Sequence, residues 1–431
     1  MPGMSEMPGI ELCGEPIRVR LCCGDEITTN HHLKDRVMLR WALLSLFVCT
    51  ATASAETKWK RIQIDGTFRA EGVAAGDFNK DGQMDVAAGD YWFAAPDWKQ
   101  HQIRQPLDRM AKPTEGYDGS KGYSNTFASW AYDVNGDGWD DVINIGYPGA
   151  PCYWYENPKN ADGMWKQVEI WHSACNETPL FTDVTGDGKP EIIMGSQPER
   201  QLGYLSVPSA DKCYEKWKFV PINEAGEPNQ NGTFLYYHGL GTGDVNQDGR
   251  LDVIIPHGWY AAPEKRDSAL WEFHPLNLSK NNDGKVLPAS NIFVLDLDLD
   301  GDQDIIMSSA HAFGIWWFEN PGKDSKDPFK YHLIDESFSQ THALALVDLA
   351  GDKKLSLVTG KRYFAHMGPD PGEFDPVVMF QFGIQREKGA APKFEKQEII
   401  AGKDTGVGTQ FQMIDFNKDG KLDIVLSNKK G

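Results

Sequence analysis

Short apolar runs alternate with polar, acidic loops along residues 56 to 431. Such runs come before the loops at residues 73–75, 292–295 and 343–347, and they follow the loops at residues 192–194, 253–255 and 424–426. Apolar runs of this length, rich in β-branched residues and bounded by Gly and Pro, are typical of buried strands. The pattern therefore predicts many short strands joined in pairs by acidic turns.

Two further repeats lie between these loops. One is an aromatic residue or Leu followed three residues later by Pro, as at Phe93–Pro96, Tyr155–Pro158, Leu205–Pro208, Tyr260–Pro263 and Phe318–Pro321. The other is Trp or Phe followed by Lys or Glu, beginning at residues 59, 98, 165, 217, 271, 329 and 394. Each unit then consists of strand, acidic loop, strand, aromatic strand and outer strand. This organisation predicts an all-β, seven-bladed β-propeller over residues 56–431.

The acidic loop itself has a fixed spacing of oxygen donors. The first copy has the form Asp77-x-Asn79-x-Asp81-Gly82-x-x-Asp85, and further copies begin at Asp133, Asp183, Asp244, Asp296, Asp348 and Asp415. Calcium prefers six to eight oxygen ligands, which a tight loop can supply from positions 1, 3 and 5 and a later carboxylate. The late acid stands at position 9, not at position 12 as in an EF-hand, and the flanks are strands, so we exclude the EF-hand.

We therefore expect up to six structural Ca²⁺ sites. Their predicted ligands are Asp77, Asn79, Asp81 and Asp85; Asp133, Asn135, Asp137 and Asp141; Asp183, Thr185, Asp187 and Glu191; Asp244, Asn246, Asp248 and Asp252; Asp296, Asp298, Asp300 and Asp304; and Asp415, Asn417, Asp419 and Asp423. The alternative is a set of Asp/Asn/Gly turns without metal, since these residues favour turns. Closely packed carboxylates repel one another at low dielectric, which favours the metal.

The copies are unequal. The loop at Asp296 carries five aspartates at alternate positions, so it should bind most strongly. The loop at Asp348 has Ala350, Lys353 and Ser356 at positions 3, 6 and 9. We expect that loop to be empty, with Lys353 or Lys354 as the cation.

Charge and targeting signals limit the possible partners. The net charge of −19 excludes a typical nucleic-acid-binding surface, which needs a basic face. A basic flank, a short apolar core and Ala53-Ser54-Ala55 make residues 38–55 a signal peptide with cleavage after Ala55. Residues 1–37 are then a spurious or disordered extension. The sequence predicts a secreted or periplasmic protein without a transmembrane segment.

Three cysteines remain after cleavage, Cys152, Cys175 and Cys213. An odd number in a compartment that permits disulfides allows at most one bridge and one free thiol, with Cys152–Cys175 as the candidate pair.

The loops and their flanks resemble the FG-GAP/VCBS repeat family, which forms the head propellers of integrin α-subunits and domains of secreted bacterial proteins. The resemblance extends over residues 56–431. It implies calcium in the loops that join the first two strands of each blade, and a role in adhesion or ligand binding.

The two ends of the chain test this arrangement. Residues 59–64 precede the first acidic loop and should close the ring as the outermost strand of the last blade. That blade stops at residues 428–431, directly after its second strand, so we expect it to be incomplete or truncated.

The start of the first strand and the end of the second strand of each blade should meet around the channel, opposite the calcium loops. The residues expected in this ring are Glu71, Asp90, Glu177, His238, His257, Asn291, His311, His342, Lys361, Arg362, Thr405 and Asn428, with Tyr91, Trp92, Tyr147, Tyr237, Trp259 and Tyr363. His, Arg and Lys bind hydroxyl and acid groups, and aromatic faces stack on sugars.

Three functional classes remain open. The first is a binding or adhesion module for carbohydrate or another polar ligand, such as an extracellular polysaccharide, with acidic polysaccharides favoured, or a cell surface. The second is a polysaccharide lyase or hydrolase, in which His238, His257, His311 and His342 act as general bases or ligands of a second metal and Arg362 neutralises a uronate. The third is a calcium-stiffened structural module.

Overall fold

The computed structural model describes residues 58–106, 120–281, 283–322, 325, 328–366, 368, 370–401 and 405–431. The predicted extension and signal peptide, residues 1–55, lie outside these ranges. Within them, the regular elements are 26 strands and no helix, which confirms the all-β prediction. Among the described residues, no helix is long and apolar enough to cross a membrane.

The first twelve strands form three antiparallel sheets of four. They are β1 (Ala74–Gly76), β2 (Asp85–Ala88), β3 (Tyr91–Ala94) and β4 (Lys99–Gln102); β5 (Ala128–Tyr132), β6 (Asp141–Ile145), β7 (Cys152–Glu156) and β8 (Lys166–Trp171); and β9 (Ala174–Thr182), β10 (Glu191–Ser196), β11 (Gln201–Ser206) and β12 (Phe219–Pro221). The acidic loops join the first and second strands of each sheet, as predicted.

The next eight strands form one sheet, followed by a sheet of four and a pair. They are β13 (Leu240–Gly243), β14 (Asp252–Ile255), β15 (Gly258–Ala261), β16 (Glu272–Pro275), β17 (Ala289–Leu295), β18 (Asp304–Ser309), β19 (Phe313–Glu319) and β20 (Lys330–Ser339); β21 (Leu344–Asp348), β22 (Leu355–Gly360), β23 (Val378–Gln385) and β24 (Lys393–Ala401); and β25 (Gln412–Ile414) and β26 (Asp423–Val425).

The prediction of seven four-stranded blades is therefore not confirmed. The described residues form four separate four-stranded sheets, one eight-stranded sheet and one two-stranded sheet. The eight-stranded sheet arises because β13 pairs in parallel with β17, from Leu240 opposite Asn291 to Thr242 opposite Phe293. A side chain at Gly241 would collide with the Ile292 carbonyl, so glycine permits this approach of the two backbones.

The sheets follow one another in a propeller-like ring. The first strands β1, β5, β9, β13, β17 and β21 contact one another in chain order, and β25 contacts β1. Two hydrogen bonds close the circle, from the amide of Thr409 to the carbonyl of Glu71 at 2.7 Å and from the amide of Val73 to Oε1 of Gln410 at 2.8 Å. The apolar core lies between neighbouring sheets, where residues such as Ile143, Trp154 and Ile192 pack together.

The Trp of the outer-strand repeat joins adjacent sheets. The amides of Trp165, Trp217 and Trp271 donate to carbonyls at the end of the preceding outer strand, at 2.8, 3.0 and 2.8 Å. All three indole rings are buried. The repeated Trp thus fixes the distance between successive sheets, in addition to starting a strand.

The end of the ring departs from the prediction. Residues 59–64 form no strand, although Trp59 and Ile64 pack against the apolar residues of the β25–β26 pair. The β25–β26 pair has no third strand among the described residues. Residues 59–64 were expected to pair with that third strand as the outermost strand, and they therefore have no partner strand. A cavity of about 400 Å³ lies between this segment and β26.

The three described cysteines are free thiols, so the candidate Cys152–Cys175 bridge is absent. All three are buried, and burial raises the pKa of the Cys152 and Cys175 thiols to about 12. They are therefore protonated, apolar components of the core.

The acid at position 9 of the loop is buried at the start of the second strand. In the first sheet, Asp85 accepts hydrogen bonds from the amide of Phe78 in the loop at 3.0 Å and from the amide of Ala95 after the third strand at 2.9 Å. The same two bonds recur at Asp141, Asp252 and Asp304. One carboxylate thus ties the loop to the second and third strands.

This role predicts a stability effect that is separate from metal binding. In EDTA, Asp252→Ala should lower the free energy of unfolding by about 2–5 kcal/mol, because the amides of Val245 and Ala262 lose their hydrogen-bond acceptor. Each buried amide left without an acceptor costs about 1–3 kcal/mol. Asp248→Ala, in the exposed part of the same loop, should cost less than about 1 kcal/mol. Denaturant unfolding followed by fluorescence measures both. Equal effects would show that Asp252 does not act through these amides.

Candidate functional site

Two sets of functional side chains lie at opposite ends of the strands. Six of the seven acidic loops share one local geometry, in which the first carboxylate accepts the backbone amides of positions 5 and 6; in the seventh, Asp296 accepts only the amide of position 6. In the first copy, the amides of Asp81 and Gly82 donate to the Asp77 carboxylate at 3.1 and 2.9 Å. Gly82 has φ of 87°, a left-handed conformation in which glycine is unstrained.

Two of the loops bring three carboxylates together. One oxygen each of Asp296, Asp298 and Asp300 lie within 4.8 Å of one another, and Asp183, Asp187 and Glu191 form a similar group. Oδ1 of Asp296 is buried and has no hydrogen-bond partner. An unpaired buried carboxylate oxygen next to two other carboxylates fits a hard cation such as Ca²⁺.

Burial also affects the acids at position 9. It raises the pKa of Asp141 to about 8, and that of Glu191 and Asp304 to about 7. The nearby carboxylates of each loop add to this effect. A bound dication would act in the opposite direction, since it favours the ionised form.

The loop at Asp348 differs as its sequence suggests. Position 3 is Ala350, which offers no side-chain oxygen, and Lys353 adopts the left-handed φ of 66° that the other copies give to glycine. Nζ of Lys354 lies 2.8 Å from the Asp352 carboxylate. Lys354 thus supplies a positive charge within this loop.

The opposite end of the strands forms the channel mouth. It brings together Glu71, Glu177, His238, His311, His342 and Arg362, which come from four different sheets or the segments next to them. The other ring residues have local partners. His257 bonds to the hydroxyl of Tyr237 at 2.9 Å, Asp90 pairs with Arg104, and Asn291 accepts the amide of Leu344.

Arg362 lies at the bottom of the mouth and is only 1% exposed. Its guanidinium pairs with Glu71 through Nη2 and with Glu177 through Nη1, the latter at 3.2 Å. The rings of Tyr123 and Phe127 lie within 6 Å of it. The sequence predicts that Arg362 neutralises a uronate. In the structure its charge is already compensated by Glu71 and Glu177, so it is not available for that role.

The three histidines converge through their Nε2 atoms. Nε2 of His238 lies 2.8 Å from that of His311 and 3.2 Å from that of His342. Burial lowers the pKa of His311 to about 4 and holds that of His342 well below its usual value, so both imidazoles are neutral. Burial alone would raise the pKa of Glu177, but His238 and His342 outweigh it and keep this carboxylate ionised.

The structure adds Asp370 to the mouth, next to His366 at the end of the basic stretch 359–366. Asp370 accepts a hydrogen bond from Nδ1 of His311 at 3.1 Å and one from Nδ1 of His366 at 3.0 Å. The imidazoles of His311 and His366 stack with their centroids 3.7 Å apart. The spacing of His366 and Asp370 was the available signal, but it lies in the long segment after β22, which the repeat pattern does not cover.

This segment after β22 crosses the mouth. The hydroxyl of Tyr123 donates to the carbonyl of Ala365 at 3.0 Å, and Nζ of Lys429 donates to the carbonyl of Phe364 at 2.7 Å. Further along, Phe374 packs edge-on against Phe364 and is 81% exposed. The segment thus brings His366 and Asp370 against His311 of the mouth and carries the exposed Phe374 four residues further along.

A second aromatic group stands at the same end of the strands. The hydroxyls of Tyr147 and Tyr236 lie 3.2 Å apart, and Tyr236 packs edge-on against Phe234, which is 41% exposed. Tyr147 also contacts the ring of Tyr123, which continues the group to the buried Arg362. The mouth therefore has aromatic walls and a charged floor.

Comparisons with known proteins bear on the repeat. The family model of the FG-GAP-like repeat matches residues 133–194, from the second acidic loop into the strand after the third. No curated protein matches the chain.

Several solved structures are similar in fold. One is a lectin of Agrocybe aegerita that recognises non-reducing terminal N-acetylglucosamine, at 16% identity over 83% of this chain and 85% of that one, with a TM-score of 0.44. Another is the periplasmic gluconolactonase PpgL of Pseudomonas aeruginosa, at 12% identity over 83% and 96%, with a TM-score of 0.40. A third is the V. cholerae biofilm matrix protein Bap1, at 11% identity over 84% of this chain and 77% of that one, with a TM-score of 0.33.

Similarities this distant carry no argument about activity. Residues 133–194 thus match the FG-GAP-like repeat, and the described residues form a propeller-like arrangement of small antiparallel sheets.

Proposed function

We propose that the protein is a secreted or periplasmic calcium-binding propeller that binds carbohydrate, an extracellular polysaccharide, at the channel mouth. The observation that carries this proposal is the combination of exposed aromatic rings with a polar floor. Phe374 is 81% exposed, and no folding role requires a ring at such a position. Aromatic faces bind the apolar faces of sugars, while a few directed polar groups bind the hydroxyls.

The polar groups of the mouth suit hydroxyls. The side chain of His366 is 42% exposed, and Asp370 fixes its orientation through Nδ1. The acidic class of polysaccharide, favoured from the sequence, loses its main support because Arg362 is buried between two carboxylates. Glu71, Glu177, Asp370 and Glu373 face the cations Arg362, Lys361 and Lys429 there, so the mouth has no excess of positive charge. We therefore propose a neutral or weakly charged saccharide.

Phe374 provides the test of binding. Phe374→Ala should weaken retention on the cognate polysaccharide at least tenfold, about 1.4 kcal/mol, through loss of the stacking surface. Its exposure predicts a change in unfolding free energy within about 0.5 kcal/mol. Affinity electrophoresis against a panel of neutral and acidic polysaccharides measures the retention.

Phe273→Ala is the matched control, because Phe273 is also exposed but lies on the outer strand β16. Retention that survives Phe374→Ala, or that falls equally in both variants, would remove the mouth as the binding site. Retention on none of the panel would favour the structural-module class.

We also propose that the acidic loops hold structural calcium, with the loop at Asp296 as the strongest site. The unpaired Oδ1 of Asp296 and the convergence of Asp298 and Asp300 support this proposal. When bound, calcium would supply the charge that these carboxylates lack and would stabilise the turns between first and second strands.

Chelation should therefore lower the melting temperature by several degrees or more, since a site saturated at 100 times its Kd contributes about 2.7 kcal/mol. Asp298→Ala should reduce the calcium bound per chain by one, as measured by equilibrium dialysis. Asp352→Ala should leave it unchanged, because its loop has Ala350 and Ser356 in place of two ligands. A melting curve that EDTA does not change would disprove structural calcium.

One observation favours the catalytic alternative. His366 and Asp370 form a carboxylate–imidazole pair with Nδ1 engaged, an arrangement that orients Nε2 of a partly exposed histidine for proton transfer. A lyase or hydrolase acting through this pair would release new unsaturated or reducing ends from a polysaccharide.

The catalytic alternative predicts product formation that His366→Ala abolishes, while retention on the same polysaccharide persists. Product should be followed by absorbance of unsaturated uronates and by a reducing-end assay. Phe273→Ala again serves as control. Retention without any product from the unmodified protein would exclude catalysis and leave the binding function.

A further inference from the structure

We propose that the channel mouth holds one transition-metal dication, Zn²⁺ or a similar ion, bound by Nε2 of His238, His311 and His342 and by the carboxylate of Glu177. This site is separate from the acidic loops at the other end of the strands. The inference goes beyond the proposed function and does not depend on carbohydrate binding.

The distances fit such an ion. Two imidazole nitrogens bound to a tetrahedral Zn²⁺ at 2.0–2.1 Å lie about 3.3 Å apart. The Nε2 atoms lie 2.8 and 3.2 Å apart for the two pairs that include His238, and all three lie within 4.8 Å of one another. Oε2 of Glu177 lies 3.2 Å from Nε2 of His342 and 3.6 Å from that of His238. Four donor atoms therefore face one small volume.

The backbone is shaped to present these donors. Glu177 lies in β9 where the pairing with β10 shifts register, and the preceding Asn176 has a φ of 95°. Register shifts of this kind redirect side chains, and strained non-glycine residues concentrate at functional sites. His238 and His342 precede the first strands β13 and β21, and His311 follows β18, so four separate chain segments converge.

A second layer of contacts supports the site. Nδ1 of His311 donates to Asp370 at 3.1 Å, which leaves Nε2 as the lone-pair nitrogen directed at the other histidines. This carboxylate–histidine arrangement is common behind metal-bound imidazoles, where it fixes the tautomer and the ring orientation. Asp370 itself is held by His366, so the support extends to the surface of the mouth.

The donor set also selects the kind of ion. Imidazole nitrogens suit Zn²⁺, Cu²⁺, Ni²⁺ and Fe²⁺, whereas Ca²⁺ and Mg²⁺ require mostly oxygen ligands. The side chains of His238 and His311 are 13% and 11% exposed, so an ion has a route from the mouth. Glu177 and the nearby Glu71 compensate part of its charge, and Arg362 keeps both carboxylates in place.

The test is zinc binding by the full chain in excess calcium, which saturates the acidic loops. Isothermal titration should show one tight zinc equivalent per chain, and Co²⁺ at the same site should give the intense visible absorption of a tetrahedral ion. His311→Ala should weaken zinc binding at least a hundredfold. Asp370→Asn should weaken it ten- to a hundredfold, the usual effect of removing an outer partner.

Asp375→Asn is the matched control, because Asp375 is an exposed carboxylate in the same segment. It should leave both the zinc affinity and the cobalt spectrum unchanged. Circular dichroism and melting curves establish whether each variant is folded. If His311→Ala does not fold, the zinc affinity of Asp370→Asn decides the test. The proposal is overturned if the folded protein binds no zinc in excess calcium, or if His311→Ala and Asp370→Asn bind it as tightly as the unmodified chain.

Discussion

Four of the repeating units of this protein depend on one buried carboxylate at the start of the second strand. In Asp85, Asp141, Asp252 and Asp304, both oxygens accept backbone amides, one from the acidic loop and one from the residue after the third strand. The residue that donates the second amide always precedes the Pro of the aromatic strand. Asp423 in the last sheet has only the loop amide, as expected where the third strand is missing.

The ring also determines which charged side chains meet. It collects side chains that are hundreds of residues apart in sequence, such as Glu71 and Arg362, at a single point where water is scarce. Buried charges require partners. The mouth meets this need with Arg362 between two glutamates and with His238 and His342 next to Glu177, so its electrostatics depend on the four sheets that supply these residues.

The local repeats could be predicted from the sequence, and the contacts between units could not. The acidic loops, the aromatic third strands and most outer strands follow from spacing and composition, and the structure places them as expected. The parallel pairing of β13 with β17 depends on Gly241, which has no distinctive sequence context. The burial of Arg362 between Glu71 and Glu177 depends on long-range geometry. The basic residues 361–362 therefore resembled a ligand-binding surface in the sequence, whereas the structure buries them at the floor of the mouth.

The join between β13 and β17 makes the ring mechanically uneven. At that seam, neighbouring units share a ladder of paired backbone residues, whereas at other seams they meet through side chains and isolated backbone bonds, such as those from the amides of Glu71 and Gly72 to the carbonyl of Thr126. A cooperative ladder of backbone bonds opens only with its whole sheet, while packed seams can separate locally. We therefore expect local opening of the ring to occur away from the eight-stranded sheet, whose strands β13 and β18 have His238 and His311 in the segments next to them.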